Sequence, residues 1–337
     1  MTGTLGSCRL RFGVAGWSYP DWEGVVYPPA TRDRLRYLAG FVDLIEVNAS
    51  FYGFIPPQTA ESWLERTADL PDFAFSAKVH RSFTHEEPGP WGRAEARAFA
   101  RGLEPIRAAG RLRALLFQFP FSFRDGPAAR ERLAKLAAAF AAFPLVLEVR
   151  HGSWRADEAL AFAGGLGFST ANLDLPSGGN DFGSSPAATG EPGYLRLHGR
   201  NAAEWFRPDA GRDARYDYLY DDDELEEIAR RIETLAGGFR ELVVVTNNHY
   251  RGKAVANLAE LSARVRGEPR RLPPLLVRTY PRLAAVATRE RPEGPGWETP
   301  QRGGAETEEP SRPEGRGPRR AAASPEAAAV QRDLFEG

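Results

Sequence analysis

Charged and histidine side chains recur two residues apart in the later half of several apolar runs of this sequence. Residues two apart share one face of a β-strand, so each such pair would point the same way. A charge within apolar sequence is costly to bury unless it is paired or functional. The pattern therefore predicts one polar pocket at the ends of several strands. Its members are Glu46 with Asn48, Ser76 with Lys78 and His80, Glu148 with Arg150, Asn172 with Asp174, Arg196 with His198, and the neutral Gln118 and Asn247.

These residue types suit acid–base chemistry on an anionic substrate that contains a ring. Histidine exchanges protons near neutral pH, and arginine forks bind phosphate or carboxylate oxygens bidentately. Aromatic side chains near the same strand ends would stack on bases or sugars. The candidate catalytic residues are His80, His198, Glu148, Asp174 and Glu46. The candidate substrate-binding residues are Lys78, Arg150, Arg196, Arg200, Asn48, Gln118, Asn247, Trp17, Tyr19, Tyr52, His151 and Trp154.

Two structural explanations of the same residues stay open. Charges inside a barrel can satisfy each other, as Glu148 with Arg150 or Glu46 with Lys78 would. The aromatic side chains can equally form a small core between loops. The prediction of a functional site therefore depends on the whole set lying at one end of the strands, where activity is usually located in barrels.

A divalent metal is the less favoured use of this pocket, and the cofactor stays unknown. Histidines and carboxylates from several strands could hold Zn²⁺, Mn²⁺ or Mg²⁺. The sequence contains no HxH or HExxH spacing. Lys78, Arg150 and Arg196 would repel a cation and attract an anion. The residues therefore favour a phosphate-binding pocket.

Eight apolar runs separated by helical stretches predict the scaffold that brings these residues together. The predicted strands are 12–17, 44–48, 73–79, 112–119, 145–150, 169–174, 194–199 and 241–247. This alternation indicates a parallel sheet, and the length of the body suits a barrel of about 250 residues. The predicted fold class is α/β, a TIM-barrel-like (β/α)8 domain over residues 1–287. Residues 175–193 are rich in Gly, Ser and Pro, so the sixth βα unit is predicted to be irregular.

Helical stretches are predicted between most of these strands, at 32–41, from 57, and at 93–109, 128–143, 221–237 and 254–266. An open doubly wound sheet is the alternative to a barrel. Such a sheet would usually carry a glycine-rich phosphate loop after its first strand, where this chain reads Trp17-Ser18-Tyr19-Pro20.

Composition limits the classes of function. With 42% hydrophobic and 26% charged residues, the chain has the balance of a globular domain. Its formal net charge of −1 supplies no bulk positive field, so nucleic-acid binding would need a local patch. Cys8 is the single cysteine, which fits a reducing compartment. We read no signal peptide and no run long enough to cross a bilayer, and we expect a cytoplasmic protein without membrane contact.

The sequence changes character near its end. Residues 288–323 are dominated by Pro, Gly, Glu and Arg and cannot bury enough apolar area to offset chain entropy. They are predicted to form a disordered linker, followed at 324–337 by a short terminal peptide motif.

The terminal motif resembles the peptide with which bacterial replication and repair proteins bind the sliding clamp. Gln331, Leu334 and Phe335 match that pattern, whereas Arg332 stands where leucine is preferred. Leu334 and Phe335 would anchor in an apolar pocket of the clamp. An amphipathic turn that places Val330 beside Leu334 and folds back onto the barrel is the alternative.

Seven strings of the body resemble the YecE-like family, which is catalogued as domain of unknown function 72. The strings are GWSYPDWEGVVYP at 16–28, IEVNASFYGFIP at 45–56, FSAKVHRSFTH at 75–85, LFQFPFSF at 116–123, LEVRHGSW at 147–154, YLRLHGR at 194–200 and NNHYRGKAVANL at 247–258. The resemblance implies a TIM-barrel-like fold and implies no reaction. At the level of fold alone, the barrels of endonuclease IV and sugar isomerases are similar.

Three functions remain open on the sequence alone. The first is a phosphate-recognising enzyme, a hydrolase acting on nucleic acid or nucleotides, linked to DNA repair through the clamp-binding-like tail. The second is a non-catalytic module that binds nucleic acid or another ligand. The third is a sugar-phosphate isomerase or hydrolase.

Overall fold

The computed structural model describes residues 3–86, 91–176, 178, 182–183, 189–205, 207, 209 and 211–288. Within these residues, ten strands form one sheet. The strands are β1 (Gly3–Leu5), β2 (Cys8–Ala15), β3 (Leu44–Val47), β4 (Ala74–Lys78), β5 (Leu112–Gln118), β6 (Leu145–Glu148), β7 (Phe168–Thr170), β8 (Asn172–Asp174), β9 (Gly193–Leu197) and β10 (Glu241–Thr246).

Nine of these strands form a nearly closed parallel barrel in the order β7-β6-β5-β4-β3-β2-β10-β9-β8. The first long strand lies beside the last, because β2 pairs in parallel with both β3 and β10. β1 folds back on β2 as an antiparallel hairpin. The predicted TIM-barrel-like α/β fold is therefore confirmed. We call the carboxyl ends of the barrel strands the rim.

The predicted sixth strand, 169–174, is in fact two short strands. β7 pairs with β6, whereas β8 pairs with β9. Ala171 lies between them and donates its amide to the carbonyl of Leu147 at 2.8 Å. β7 and β8 are the two end strands of the barrel sheet, and the chain connects them directly through Ala171.

Apolar runs become strands here because both faces of the barrel wall are covered. Leu115, Leu116 and Phe117 of β5 are all fully buried, although neighbouring side chains point to opposite faces of the strand. Parallel strands covered by helices on one side and by the barrel interior on the other read as near-continuous hydrophobic runs.

Helices surround the barrel wall, and short helices follow several strands at the rim. The α-helices are α1 (Arg34–Ala39), α2 (Ala49–Tyr52), α3 (Pro57–Arg66), α4 (Arg81–Thr84), α5 (Arg93–Ala108), α6 (Pro127–Ala139), α7 (Asp157–Gly165), α8 (Ala202–Trp205), α9 (Arg212–Arg215), α10 (Asp222–Ala236), α11 (Lys253–Arg266) and α12 (Pro274–Thr279). Short 3-10 helices cover Pro20–Trp22, Gly152–Arg155, Tyr250–Gly252 and Pro281–Ala285.

Helix α10 shows how local sequence sets these elements. The Asp221 side chain accepts from the Glu224 amide at 2.9 Å, and the Glu224 side chain accepts from the Asp221 amide at 3.0 Å, which is a capping box. Leu225, Ile228 and Ile232 then recur at helical spacing and are fully buried. The cap fixes where the helix begins, and the apolar stripe fixes which face packs on the barrel.

The sequence missed helices α7 and α12 and the four-residue helices at the rim. Short helices show no usable hydrophobic period, and the two charged residues of α7 both lie in its first turn, so no polar face marks that helix. The prediction of no helix in the sixth unit agrees with the described part of residues 175–192, where none is found. Several strands also end earlier than predicted, as β2 does at Ala15 and β6 at Glu148.

Two further predictions concern the tail and the membrane. The linker at 288–323 and the terminal motif at 324–337 lie outside the described residues, except for Thr288, and stay predictions. Among the residues that the structure describes, no helix is both long enough and apolar enough to cross a bilayer.

Candidate functional site

A buried arginine joins carboxylates from two strands inside the rim. Arg196 on β9 donates bidentately to Glu46 of β3, from Nη2 at 2.7 Å and from Nε at 3.1 Å. Its Nη1 donates to Glu148 of β6 and, at 3.4 Å, to Gln118 of β5. One guanidinium therefore connects four strands, and both carboxylates that it binds are fully buried.

The Glu46 carboxylate has a second partner on β9, which in turn contacts β4. The Tyr194 hydroxyl donates to Glu46 Oε2 at 2.9 Å and lies 2.8 Å from Ser76 Oγ. Tyr194 and Arg196 are two residues apart on β9, so strand geometry places both on the inward face. The ion pair between Glu46 and Lys78, considered from the sequence, is replaced by the closer pairing with Arg196.

Glu148 is held as a carboxylate. Burial by itself would raise the pKa of Glu148, but Arg196 above all stabilises the ionised form and lowers the pKa to about 2. Burial opposes the charge on Arg196, yet Glu148 and Glu46 raise its pKa above the usual value. Glu148 is thus suited to electrostatic stabilisation, because a general acid would need a pKa near neutrality.

His198 lies beside this network in its neutral form. Burial holds the pKa of His198 well below the usual range, against the opposing effect of Glu148. Its Nδ1 is 3.1 Å from Asn247 Nδ2, and its Nε2 is 3.6 Å from Glu148 Oε1. The donor Nη1 of Arg196 also lies 3.5 Å from His198 Nε2.

The Lys78 side chain is buried at the end of β4 and is not part of this ion-pair network. Its Nζ lies 3.7 Å from the centroid of the Phe51 ring. No carboxylate that the structure describes lies within ion-pairing distance of it. Burial lowers the pKa of Lys78 to about 7, and the positive charges of Arg196 and Arg150 add to that effect.

Two more polar groups lie around Lys78. Arg150, just after β6, donates to Glu148 Oε1 at 3.3 and 3.4 Å and lies over the Trp205 ring. His85, at the end of α4, contacts the edge of the Phe51 ring at 5.0 Å. Burial lowers the pKa of His85 to about 3, and Lys78 and Arg150 contribute to the decrease. The pair of Glu148 with Arg150 predicted as an alternative is therefore present, but with long contacts.

Aromatic rings are exposed at the same rim. Tyr52 is 51%, Phe54 38% and Phe121 43% exposed, whereas most large hydrophobic side chains are buried. Tyr52 and Phe54 follow β3, and Phe121 follows β5. These rings present faces on which a base or a sugar can stack.

His80 and His151 lie outside the network and cap short helices. The Nδ1 atom of His80 accepts from the Ser82 amide at 3.3 Å, and that of His151 from the Ser153 amide at 3.0 Å. β4 ends at Lys78, so the alternation that predicted an inward His80 no longer applies there. Both histidines therefore have a local structural role as helix N-caps.

Asp174 and Arg200 form a second ion-pair cluster. Arg200 donates to Asp174 Oδ2 at 2.6 Å and to Glu227 at 3.0 Å. The Tyr220 hydroxyl also donates to Asp174, at 2.8 Å. The structure thus joins Asp174 to Arg200 and helix α10, and shows no contact of either side chain with Arg196.

The predicted aromatic contacts are largely packed among neighbouring rings. Trp154 is buried and donates its Nε1–H to the Phe123 carbonyl at 3.0 Å. Tyr19 donates to the Ala15 carbonyl at 2.7 Å and stacks on His249. The other two rim residues predicted to bind substrate are Trp17, packed edge-on against Trp63, and Asn48, which immediately precedes α2.

The chemistry of the donor set gives no specific support to a metal. Among the described residues, no three His, Cys, Asp or Glu side chains come together in an arrangement that could hold an ion. The two innermost carboxylates, Glu46 and Glu148, are bound by Arg196.

Known proteins share this barrel and its motifs. A family model described as "Protein of unknown function DUF72" matches residues 11–282. The chain belongs to the DUF72 family. The YecE-like family indicated by the sequence strings is the same family, so that prediction is confirmed.

Several relatives match this chain over nearly their full length. UPF0759 protein YunF of Bacillus subtilis (strain 168) is 31% identical over 267 residues, which are 74% of this chain and 92% of YunF. A crystal structure of a DUF72 protein from Thermotoga maritima has a TM-score of 0.68 and 31% identity, covering 76% of this chain and 98% of that one. A DUF72 protein from Enterococcus faecalis V583 has a TM-score of 0.67 and 24% identity, covering 78% and 99%.

The sequence of this DUF72 chain did not reveal two contributors to the site. Tyr194 binds Glu46, and Trp205 packs near Arg150. Tyr194 could have been found from strand parity, since it is two residues before Arg196. Trp205 lies on a one-turn helix, for which the sequence carried no periodic signal.

The capping role of His80 in this DUF72 barrel can be measured. We expect His80→Ala to lower the free energy of unfolding by about 1 kcal/mol, because the Ser82 amide loses its acceptor. His80→Asn should stay within about 0.5 kcal/mol of wild type, since asparagine is a strong N-cap. Urea unfolding followed by tryptophan fluorescence gives both values, and equal losses for the two variants would contradict the capping role.

Proposed function

We propose that the chain is an enzyme whose rim pocket binds a phosphate-bearing substrate that contains a ring, such as a nucleotide or a nucleic-acid strand. The observation that carries the proposal is the weakly paired guanidinium of Arg150 at the rim. Its hydrogen bonds to Glu148 are 3.3 and 3.4 Å long, whereas Arg196 pairs closely with both Glu46 and Glu148. A phosphate would give Arg150 the acceptors that it lacks.

Arg150 is the cation best placed to receive a phosphate. It has only long hydrogen bonds to Glu148, at 3.3 and 3.4 Å, whereas Arg196 is fully engaged. A phosphate oxygen can accept from the planar guanidinium in two directions. The exposed Tyr52, Phe54 and Phe121 rings would hold the ring of the substrate.

A basic groove between α5 and α6 supports a nucleic-acid strand as the substrate. The groove has a volume of about 1090 Å³, and His85 is among its lining residues. Among the described residues that line it, the cations are Arg93, Arg97, Arg124, Arg132 and Lys135, and the acidic residue is Glu131. A chain with a net charge of −1 would need such a local patch to bind a phosphodiester backbone.

Binding titrations test this proposal. We expect nucleotides and single-stranded oligonucleotides to bind, and Arg150→Met to weaken both by roughly tenfold or more, because a charge-assisted fork is lost. The matched control is Arg107→Met, an exposed arginine paired with Glu104 on α5. Arg93→Met with Arg97→Met should weaken oligonucleotides selectively and reduce their salt dependence.

The outcome separates the open functions. Turnover of any bound phosphate compound, lost in Arg150→Met, supports the enzyme, and saturable binding without turnover supports a non-catalytic module. If nucleotides, oligonucleotides and sugar phosphates all fail to bind at low salt, the proposal is wrong. A sugar phosphate stays the second candidate, because the amine of Lys78 suits a carbonyl compound.

A further inference from the structure

Lysine is rare in this chain, and one of its few lysines is buried at the rim. The sequence has 44 lysines and arginines, of which only Lys78, Lys135 and Lys253 are lysines. Lys135 is 65% exposed and binds Glu131 at 2.7 Å, and Lys253 binds Asp217. Only lysine can lose its proton near neutral pH, whereas arginine stays charged. Lys78, the buried lysine, thus lies at the rim, where a neutral amine could act as a nucleophile.

The structure holds the Lys78 amine in a defined position. The Lys78 carbonyl accepts from Ser50 Oγ at 2.6 Å, which ties the end of β4 to helix α2. The next residue of that helix, Phe51, is buried and places its ring 3.7 Å from Nζ. The Phe51 ring covers one side of the amine, and the nearby carboxylates of Glu46 and Glu148 are paired with Arg196. The structure describes no hydrogen-bond acceptor for the Lys78 amine.

The charges around Lys78 favour the neutral amine. Burial, followed by Arg196 and Arg150, lowers the pKa of Lys78 to about 7, whereas Glu148 and Glu46 oppose the decrease. A large share of the amine is therefore unprotonated at neutral pH. Desolvation beside other cations is a known way to activate a lysine as a nucleophile.

We propose that Lys78 forms an imine with the aldehyde or ketone carbon of a phosphorylated substrate. The inference rests on the proposed function only for the phosphate, which we assign to Arg150. Both open-chain sugar phosphates and abasic deoxyribose in a DNA strand have this chemistry, since each joins a carbonyl to a phosphate ester.

The reaction needs no oxidant or reductant. The Nζ lone pair adds to the carbonyl carbon, the carbonyl π pair moves to oxygen, and the oxygen takes up a proton to give a carbinolamine. Nζ loses a proton, the hydroxyl leaves with another proton as water, and the C=N bond forms.

His85 contacts the same Phe51 ring as Lys78, and its Nδ1 pairs with Thr84 Oγ1 at 2.9 Å. Its pKa of about 3 keeps the ring neutral at pH 7, so solvent water supplies and takes up the protons of these steps.

Reductive trapping tests the proposal on the full chain. The protein is incubated at pH 7.5 with an aldopentose 5-phosphate, or with an oligonucleotide that carries one abasic site, and borohydride is added. Hydride adds to the imine carbon and converts it into a stable secondary amine, which peptide mass spectrometry locates. We expect Lys78 to be labelled at least tenfold more than Lys135 or Lys253. The arm that labels faster identifies the source of the carbonyl.

Matched variants complete the experiment. Lys78→Met should remove the label, whereas Lys253→Met should keep it, because Lys253 pairs with Asp217 outside the proposed site. Circular dichroism verifies that both variants are folded. Similar labelling of all three lysines, or labelling confined to Lys135 and Lys253, overturns the imine.

Two further outcomes separate this inference from the proposed function. Nucleotide binding without any label on Lys78 overturns the imine and leaves the phosphate site in place. Equal labelling of Lys78 by glyceraldehyde and by the phosphorylated aldehyde supports the imine and contradicts the phosphate site.

Discussion

Arg196→Met is expected to lower the free energy of unfolding by about 3–5 kcal/mol at pH 7, since removing one partner of a buried ion pair leaves an uncompensated charge. Here two carboxylates lose their partner at once, because Arg196 binds both Glu46 and Glu148. Chemical denaturation measures the loss, and a variant that fails to fold at pH 7 agrees with the same expectation.

The pH dependence of this loss has a predictable sign. In the wild type, Glu148 has a pKa of about 2 against an ordinary value of 4.5. It therefore contributes stability that is complete above pH 4.5 and is lost as the pH falls towards 2. Without Arg196, burial raises the pKa of Glu148, so the variant should lose stability as the pH rises above 4.5. The two proteins should thus be closest in stability in acid.

The control for Arg196→Met is the same substitution at Arg107. That arginine makes an exposed pair with Glu104, which is expected to contribute at most about 0.5 kcal/mol. If Arg196→Met changes stability no more than Arg107→Met does, the network does not hold the barrel interior together.

Lys78→Met is expected to act in the opposite direction and to stabilise the protein by about 2–4 kcal/mol at pH 6. Methionine has a similar length and needs no hydration, whereas the buried ammonium lacks a described carboxylate partner. The exposed Lys135→Met should stay within about 0.5 kcal/mol of wild type. Thermal and urea unfolding of both variants measure the difference.

The gain from Lys78→Met should also depend on pH. The folded pKa of Lys78 is about 7 and the ordinary value is 10.5, so the wild type carries the full cost of the buried charge below pH 7. That cost decreases between pH 7 and 10.5, because the folded amine is then already neutral. The advantage of the variant should shrink over the same window. A variant that is less stable than wild type at pH 6 would contradict this account.

A stabilising substitution at Lys78 would have a functional meaning. Groups that are costly to bury and are kept nonetheless are found at functional sites more often than elsewhere. The same substitution is expected to remove the imine label, so stability and activity would change in opposite directions.

Much of the barrel could be predicted from the sequence, because its signals are local. Apolar runs such as Leu115–Phe117 predict strands that are covered on both faces. The alternation of strands with helices predicts that the strands of the sheet are parallel. Strand parity also placed Glu46, Glu148 and Arg196 on the inward face. Parity failed at His80, because β4 ends two residues before it and the chain turns into α4.

The choice of partners was decided by the tertiary structure. Glu46 and Arg196 are 150 residues apart in the sequence, yet they form a bidentate ion pair. From the sequence alone, Lys78 was considered as the partner of Glu46. The sequence by itself determined which side chains enter the barrel, since each strand fixes the direction of its own residues. It did not determine which charges meet, because that depends on distances across the closed barrel. In the closed barrel, Arg196 lies close enough to pair with both Glu46 and Glu148. The Lys78 amine contacts the Phe51 ring instead.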